Sequence, residues 1–472
     1  MSTHDEFRRI HRATPLLRMW TLVVAFVAAV AFNINASSFA FIAGFLQSDH
    51  GGSAIALIPL LIGLAGLILF AGVVWGLTQI WWRATGFRLT DEEVQMKRGV
   101  IAKDLRTARF DRIQAVDLVE SFIARVFRLA EVRIETAGGT DSAINIGFLK
   151  KHEAEALKRE LLDASQHRPR TSAEGIEGVQ VQAASEEDEA DKHYLVPKIP
   201  VQRSFASTLL SLTTVAAVLG AVFFLVTPIG LSASLPFFLG MMPAVWNLLD
   251  KSWHFNAVLD GEMLNVNYGL ANRRKQSIPL RRIHAVTMRQ PVLWRLTGWW
   301  TVSVTVVGYG AATDGGTSKI LPVGSKKLAL EVLEAVSPLN AAEIADKADP
   351  AKISHPRYTP PVEATWVTPV DRSRQGVTFV GEQPHAVIIH EGRLMPRMAV
   401  IDPSHIQELT LKRGMVQNIL GLSSVVFNLV PGPVSMKAAD LRAADAWQLL
   451  TELRARKLPA LESVPRGEIG LD

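Results

Sequence analysis

Along this chain apolar and polar positions separate first into whole segments. Between Thr21 and Trp82 the single charged side chain is Asp49, and Ser48-Asp49-His50-Gly51-Gly52 splits the stretch into two apolar runs. From Ser204 to Leu249 there is no charged residue, and Thr227-Pro228 with Ser232 to Pro236 divides that stretch near its middle. A helix needs roughly 20 apolar residues to cross a hydrocarbon core ~30 Å thick. The pattern therefore predicts two transmembrane helical hairpins. Trp20, Trp81, Trp82, Trp246 and Trp253 stand at their flanks, where amphipathic indoles anchor at headgroup level. Arg8, Arg9, Arg12 and Arg18 precede the first run, Arg83 and Arg88 follow the second, Arg203 precedes the third, and Lys251 follows the fourth. Neither hairpin tip carries Lys or Arg. The positive-inside rule then predicts a multi-pass membrane protein with both termini and all large polar segments in the cytoplasm.

The polar segments carry an internal repeat. Gly99-Val100 is followed thirteen residues after the glycine by Arg112-Ile113-Gln114-Ala115-Val116, and twenty residues after that arginine by Val132. Gly269, Arg282-Ile283-His284-Ala285-Val286 and Val302 keep the same offsets, as do Gly392, His405-Ile406-Gln407-Glu408-Leu409 and Val425. Arg128, Gly298 and Gly421 also fall in register. Runs such as Val132-Arg133-Ile134-Glu135 and Val302-Ser303-Val304-Thr305-Val306 have the β-branched or alternating pattern of half-buried strands. Each copy then ends in a helical periodicity, over Lys151 to Leu162, Ser325 to Val336 and Lys437 to Leu453. Antiparallel strands closed by one amphipathic helix imply a small barrel or orthogonal sandwich.

The resulting map has a segment at 1–19, a transmembrane hairpin at 20–82, a strand-rich module at 83–165 and an acidic, solvated linker at 166–202. A second hairpin at 203–250, a module at 251–337, a Pro-rich, semi-extended linker at 338–374, a third module at 375–458 and a tail at 459–472 complete it. The chain's 472 residues are 48% hydrophobic and 20% charged, which excludes disorder as the main state. With no cysteine there is no disulfide framework, no Cys-ligated metal and no thiol nucleophile. The net charge of +5 suits an acidic membrane surface and is too small to argue for nucleic acid.

Two apolar spans followed by Gly99-Val100, Arg112-Ile113-Gln114-Ala115-Val116-Asp117-Leu118 and Leu129-Ala130-Glu131-Val132-Arg133-Ile134-Glu135 resemble the bacterial pleckstrin-homology-like (PH-like) domain of the YdbS/YdbT type, the membrane-flanked domain family. The resemblance covers nearly all of the chain after residue 20. It is closest in the first copy and weakest in the third, where His405 replaces the arginine. It implies three PH-like antiparallel β-barrels, each of seven strands with a C-terminal helix, and it supplies no catalytic residues.

The most suggestive side chains are basic: Lys97, Arg98, Lys103, Arg106, Arg109 and Arg112 in the first copy, and Arg273, Arg274, Lys275, Arg281 and Arg282 in the second. One reading is a surface for lipid headgroups or a partner, since each cation near an anionic leaflet contributes roughly 1 kcal/mol. The other is an ordinary solvated face. For Arg112 and Arg282 a structural role, a planar fork locking the loop after the central hairpin, is the favoured reading. His385, His390 and His405 lack acidic partners at metal-site spacing. Gly308-Tyr309-Gly310 is no dinucleotide fingerprint, and there is no P-loop, His-Glu-x-x-His or Gly-x-Ser-x-Gly. No catalytic residue, cofactor or metal is expected. The spans contain no Lys, Arg or Glu, and Asp49 lies in a turn, which counts against ion coupling. The sequence thus favours a non-enzymatic membrane scaffold whose modules bind protein partners, another copy or anionic lipid, with a role in envelope maintenance or stress. The alternative is a transporter or lipid-handling component gated by the modules.

Overall fold

The structure is a computed structural model. It describes residues 7–12 and 14, parts of 65–83, 84–136 except four loop residues, 143–166, 194–227, 230–307, 318–350 and 353–455. The chain falls into two compact units, one of residues 1–137 with 141–175 and one of 138–140 with 176–472.

In the first unit β1 (Arg8–Arg9), β2 (Gly86–Leu89), β3 (Glu93–Arg98) and β4 (Asp104–Arg109) form one antiparallel sheet in that order. A 3-10 turn, Phe110–Arg112, leads into β5 (Ile113–Glu120), which pairs with β6 (Leu129–Thr136), and β6 pairs with β7 (Ile144–Lys150). A one-turn helix α1 (Phe122–Val126), capped by the Ser121 hydroxyl on the Ala124 amide at 3.3 Å, joins β5 to β6. Helix α2 (Lys151–Gln166) then turns Ala154, Leu157 and Leu161 into the core shared with Val94, Val116, Val132 and Ile146. The segment before the first hairpin is part of this module. Ile10 is buried, and its carbonyl accepts the Trp82 indole N–H at 3.0 Å.

The second unit begins with β8 (Tyr194–Val196), α3 (Val201–Leu209), α4 (Leu212–Val226) and α5 (Gly230–Ser252). β8 joins the sheet of β9 (Asn256–Asp260), β10 (Met263–Tyr268) and β11 (Arg273–Pro279). A 3-10 turn, Leu280–Arg282, leads into β12 (Ile283–Arg289), β13 (Trp299–Val306) and β14 (Lys319–Ser325), followed by α6 (Lys326–Val336) and α7 (Ala341–Lys347). The same order recurs in β15 (Gly376–Val380), β16 (Ala386–Glu391), β17 (Arg397–Ile401), the turn Pro403–His405, β18 (Glu408–Lys412), α8 (Met415–Ile419), β19 (Leu422–Asn428), β20 (Met436–Arg442) and α9 (Ala443–Arg454). Gly99, Gly269 and Gly392 have φ of 105°, 114° and 83°. At Gly269 and Gly392 a Cβ would run into the carbonyl oxygens of Asn272 and Met395. Only glycine closes those hairpins without strain.

β12 pairs with β17, from Ala285 opposite Ile401 to Arg289 opposite Arg397, so the last two modules share one sheet in the order β14-β13-β12-β17-β16-β15. Successive side chains of a strand face opposite ways. Accordingly Ile388, Met398 and Val400 enter the core with Val286 and Met288, while Val387, Ile389, Ala399 and Ile401 enter the one closed by α9. Burial on both faces explains why Ala386-Val387-Ile388-Ile389 reads as continuous apolar sequence.

Several expectations are corrected. Residues 338–374 do not form a semi-extended spacer. α7 and two 3-10 turns pack there, burying Leu339, Ile344, Ala348, Tyr358 and Ala364. The acidic run lies outside the described residues, but the end of its segment, β8, is a strand rather than a tether. Met436–Arg442 pairs with β19, so the last helix starts at Ala443, not Lys437. Cross-strand pairing there overrides a locally helical pattern. Pro236 lies inside α5, and α4 ends at Val226 with Thr227 as its cap. The described strands number seven in each of the first two modules and six in the third, against seven for each barrel.

The first predicted hairpin lies mostly outside the described residues. Among the described residues no single helix is long and apolar enough to cross a membrane. The pair Val201–Leu209 and Leu212–Phe224, bent by 58°, passes that measure together.

Candidate functional site

The predicted basic residues do not converge. In the first module Arg98 and Arg106 both reach Asp104, at 3.9 and 3.1 Å, and Arg109 pairs with Asp111 at 3.3 Å. Lys97 lies 5.8 Å and Arg88 5.0 Å from the Phe7 ring. Lys103 is exposed at one end of β4 and Arg112 beyond the other, roughly 25 Å of extended chain apart. In the second module Arg281 is paired with Glu262 at 3.0 Å, and Arg282 is half-buried beside it. Arg273, Arg274 and Lys275 open β11 at the opposite end from them. Carboxylates in reach thus serve three of the six cations of the first cluster, Arg98, Arg106 and Arg109.

His405, in the third copy, stacks on His284 with ring centroids 4.1 Å apart and planes 6° from parallel. This places both between the second and third modules. Burial, followed by the neighbouring His405, pushes the His284 imidazole down to about 4. His390 is fully buried and is likewise pushed by burial down to about 4. Neutral imidazoles are thus part of the packing. Among the described residues no group of three His, Asp or Glu side chains is arranged for a metal.

The geometry that does converge lies at the end of α5. Asp250 accepts the amides of Leu270 and Ala271 at 2.8 and 2.7 Å, and the Trp253 carbonyl accepts the Gly269 amide at 3.1 Å. These bonds hold the β10–β11 loop, and with it Arg273, against the helix end. His254 lies there with its pKa lowered, first by burial and then by Lys198 and Arg273. Lys251, on the last turn of α5, and Arg289, on β12, act on Lys319 at the start of β14. Burial first, then those two cations, pushes the Lys319 ammonium down to about 8. Lys198 and Arg273 beside His254, and Lys251 and Arg289 beside Lys319, are two groups of cations that together make up a basic collar near the end of α5. They come from five separate stretches, and Lys251 entered the sequence reading only as a topology marker. Arg273 was among the sequence candidates, and for Lys319 the available signal was a charge opening the apolar run Ile320-Leu321-Pro322-Val323.

The helices above the collar are polar inside and apolar outside. α3 buries Ser204, Ser207 and Thr208. Ser204 donates to the Ser252 carbonyl at 2.8 Å, and the Ser207 and Thr208 hydroxyls bond the Ser204 carbonyl at 2.8 and 2.9 Å. Phe205 and Leu209 face outward, and α4 exposes Leu212, Leu219, Val222, Phe223 and Val226. In the first unit the described helical residues before Trp82 likewise expose Ile68, Leu69, Val73, Trp75 and Ile80. Water-facing helices carry the opposite polarity.

Paired antiparallel sheets closed by a helix and placed after apolar helices define a PH-like protein. Residues 20–165 and 205–340 match the family model described as Bacterial PH domain, and the chain belongs to that family. The third module lies outside the matched residues. The chain is similar to the UPF0699 transmembrane protein YdbT of Bacillus subtilis (strain 168), at 22% identity over 290 residues. The match covers 54% of this chain and 57% of that relative's length. No solved structure matches the chain.

Proposed function

We propose that this protein is a multi-pass bacterial inner-membrane protein, without catalytic activity, that holds its PH-like modules at the cytoplasmic face as a binding surface for anionic lipid headgroups and for protein partners. The observation that carries the reading is the collar of five cations at the foot of helices that bury hydroxyls and expose Phe205, Leu209 and Leu212. Apolar side chains directed outward suit lipid, and cations at the helix foot suit the headgroup layer immediately beneath it. Burial, followed by its cationic neighbours, lowers the Lys319 pKa to about 8, and an anion placed beside it favours its charged form. The relative's description as a transmembrane protein agrees with this placement. The test is lipid selectivity of the reconstituted full chain. Phosphatidylglycerol should be enriched over phosphatidylcholine in the lipid shell, and equal occupancy would remove the headgroup role.

A further inference from the structure

Between residues 253 and 455, eleven large apolar side chains are left exposed among the described residues, and ten of them fall on four elements that touch in series. The first is the 3-10 turn Val292–Leu296 between β12 and β13, which exposes Val292 and Leu296. Its Trp294 indole donates to the Ser207 carbonyl of α3 at 3.1 Å, which fixes the turn beside the outward apolar face of Phe205 and Leu209. The second is the β16–β17 hairpin, which exposes Leu394 and Met395. It is tied to the first by the Gln290 amide on the Pro396 carbonyl at 2.9 Å and by Arg295 on the Arg393 and Leu394 carbonyls at 3.4 and 3.5 Å.

The third element is the segment 362–371, which exposes Val362, Trp366 and Val370. Asp371 accepts the Arg393 amide at 2.8 Å, and Thr368 donates to Asp440 at 3.1 Å. The same Asp440 holds Gln417 of α8, the fourth element, whose Met415, Val416 and Ile419 face outward. Met415 is 88% exposed and Ile419 83%. Trp447 alone stands elsewhere. Scattered apolar residues need no explanation, but a contiguous series does.

The charges along this edge have one dominant sign. Arg289, Arg295, Arg393, Lys412 and Arg413 border it against one exposed carboxylate, Glu363 on the 362–371 segment, while Asp371 and Asp440 are spent on the internal hydrogen bonds given above. Bare apolar side chains rimmed by cations match the boundary between anionic headgroups and acyl chains. The edge also starts at α3, the foot of the apolar helices. We propose that this edge lies in the interface of the same bilayer and seats the third module, which has no preceding hairpin of its own, flat on an anionic leaflet. The inference rests on the membrane reading of α3 and α4. Its distinct content is that the β16–β17 hairpin, the 362–371 segment and α8 touch lipid.

The chain contains no cysteine, so single nitroxide labels can be placed without other changes, and every chosen site is exposed. The full chain would be labelled at Leu296→Cys, Leu394→Cys or Ile419→Cys, with Trp447→Cys as the off-edge control and Leu219→Cys as the α4 reference. It would be reconstituted in phosphatidylcholine vesicles containing phosphatidylglycerol. The ratio of relaxation by oxygen to relaxation by a water-soluble nickel chelate should be severalfold higher at 296, 394 and 419 than at 447. It should approach the value at 219. If the three sites match 447 while 219 reports hydrocarbon, the edge proposal is overturned and the membrane reading survives. If 219 is itself open to nickel, both fall. If the three sites are immobilised and closed to both reagents, a second copy or another protein covers the edge, and lipid contact is refuted.

Discussion

Replacing Lys251 and Arg273 with glutamine tests the collar directly. Both are exposed, so the change removes charge without opening a core. Each cation at an anionic leaflet is worth roughly 1 kcal/mol, so the pair should contribute about 2 kcal/mol to holding anionic headgroups at the foot of α5. That corresponds to roughly a thirtyfold fall in association constant. The assay compares spin-labelled phosphatidylglycerol with spin-labelled phosphatidylcholine in the lipid shell of the reconstituted full chain. Arg281→Gln is the internal control, because that side chain is paired with Glu262 at the far end of β11 and should leave selectivity unchanged. Raising the salt from about 0.1 to about 1 M shortens the screening length from ~10 to ~3 Å and should erase the native preference. The reasoning is refuted if the double variant keeps native selectivity, or if Arg281→Gln loses as much as the double variant does.

Two further outcomes follow from the same geometry. Lys319, held at about 8, loses its charge as pH rises through that value, so anionic-lipid selectivity should fall between about pH 7 and 9. The unfolded chain keeps that proton up to about pH 10.4, so this residue's contribution to stability should rise with pH across the window. Lys319→Arg should abolish the step in lipid titrations. Ile388→Ala in the shared sheet should cost about 2–5 kcal/mol, as for other fully buried large-to-small changes. It should shift one common transition for the second and third modules in denaturant melts. Separate transitions would contradict a shared core.

Much of the fold was legible because its signals are local. The recurring glycine spacing marked hairpins that require positive φ, and Gly99, Gly269 and Gly392 all have it. The Ala386–Ile389 run marked a strand, but its lack of alternation also carried information, since both its faces are buried. The pairing of β12 with β17 had no local signature, because any exposed strand edge can accept a partner and only the assembled modules decide which one does. The Pro-rich segment misled through composition. Its prolines accompany turns that pack Tyr358 and Ala364 rather than an extended linker. The candidate site was the least legible part. Basic residues close in sequence, such as Arg98 and Arg106, are mutually served by Asp104. Those that gather at α5 come from Lys198, Lys251, Arg273, Arg289 and Lys319. Sequence proximity measures charge density along a strand, whereas an electrostatic site depends on which strand ends and helix ends meet.

The most direct measurement concerns the apolar helices themselves. Bacterial membranes containing the full chain would be washed with sodium carbonate at high pH, which strips peripheral proteins, and then sedimented. If α3 and α4 sit in lipid with Phe205, Leu212 and Phe223 outward, the protein remains in the pellet until detergent is added. Its quantitative release into the carbonate supernatant would contradict the account at its root.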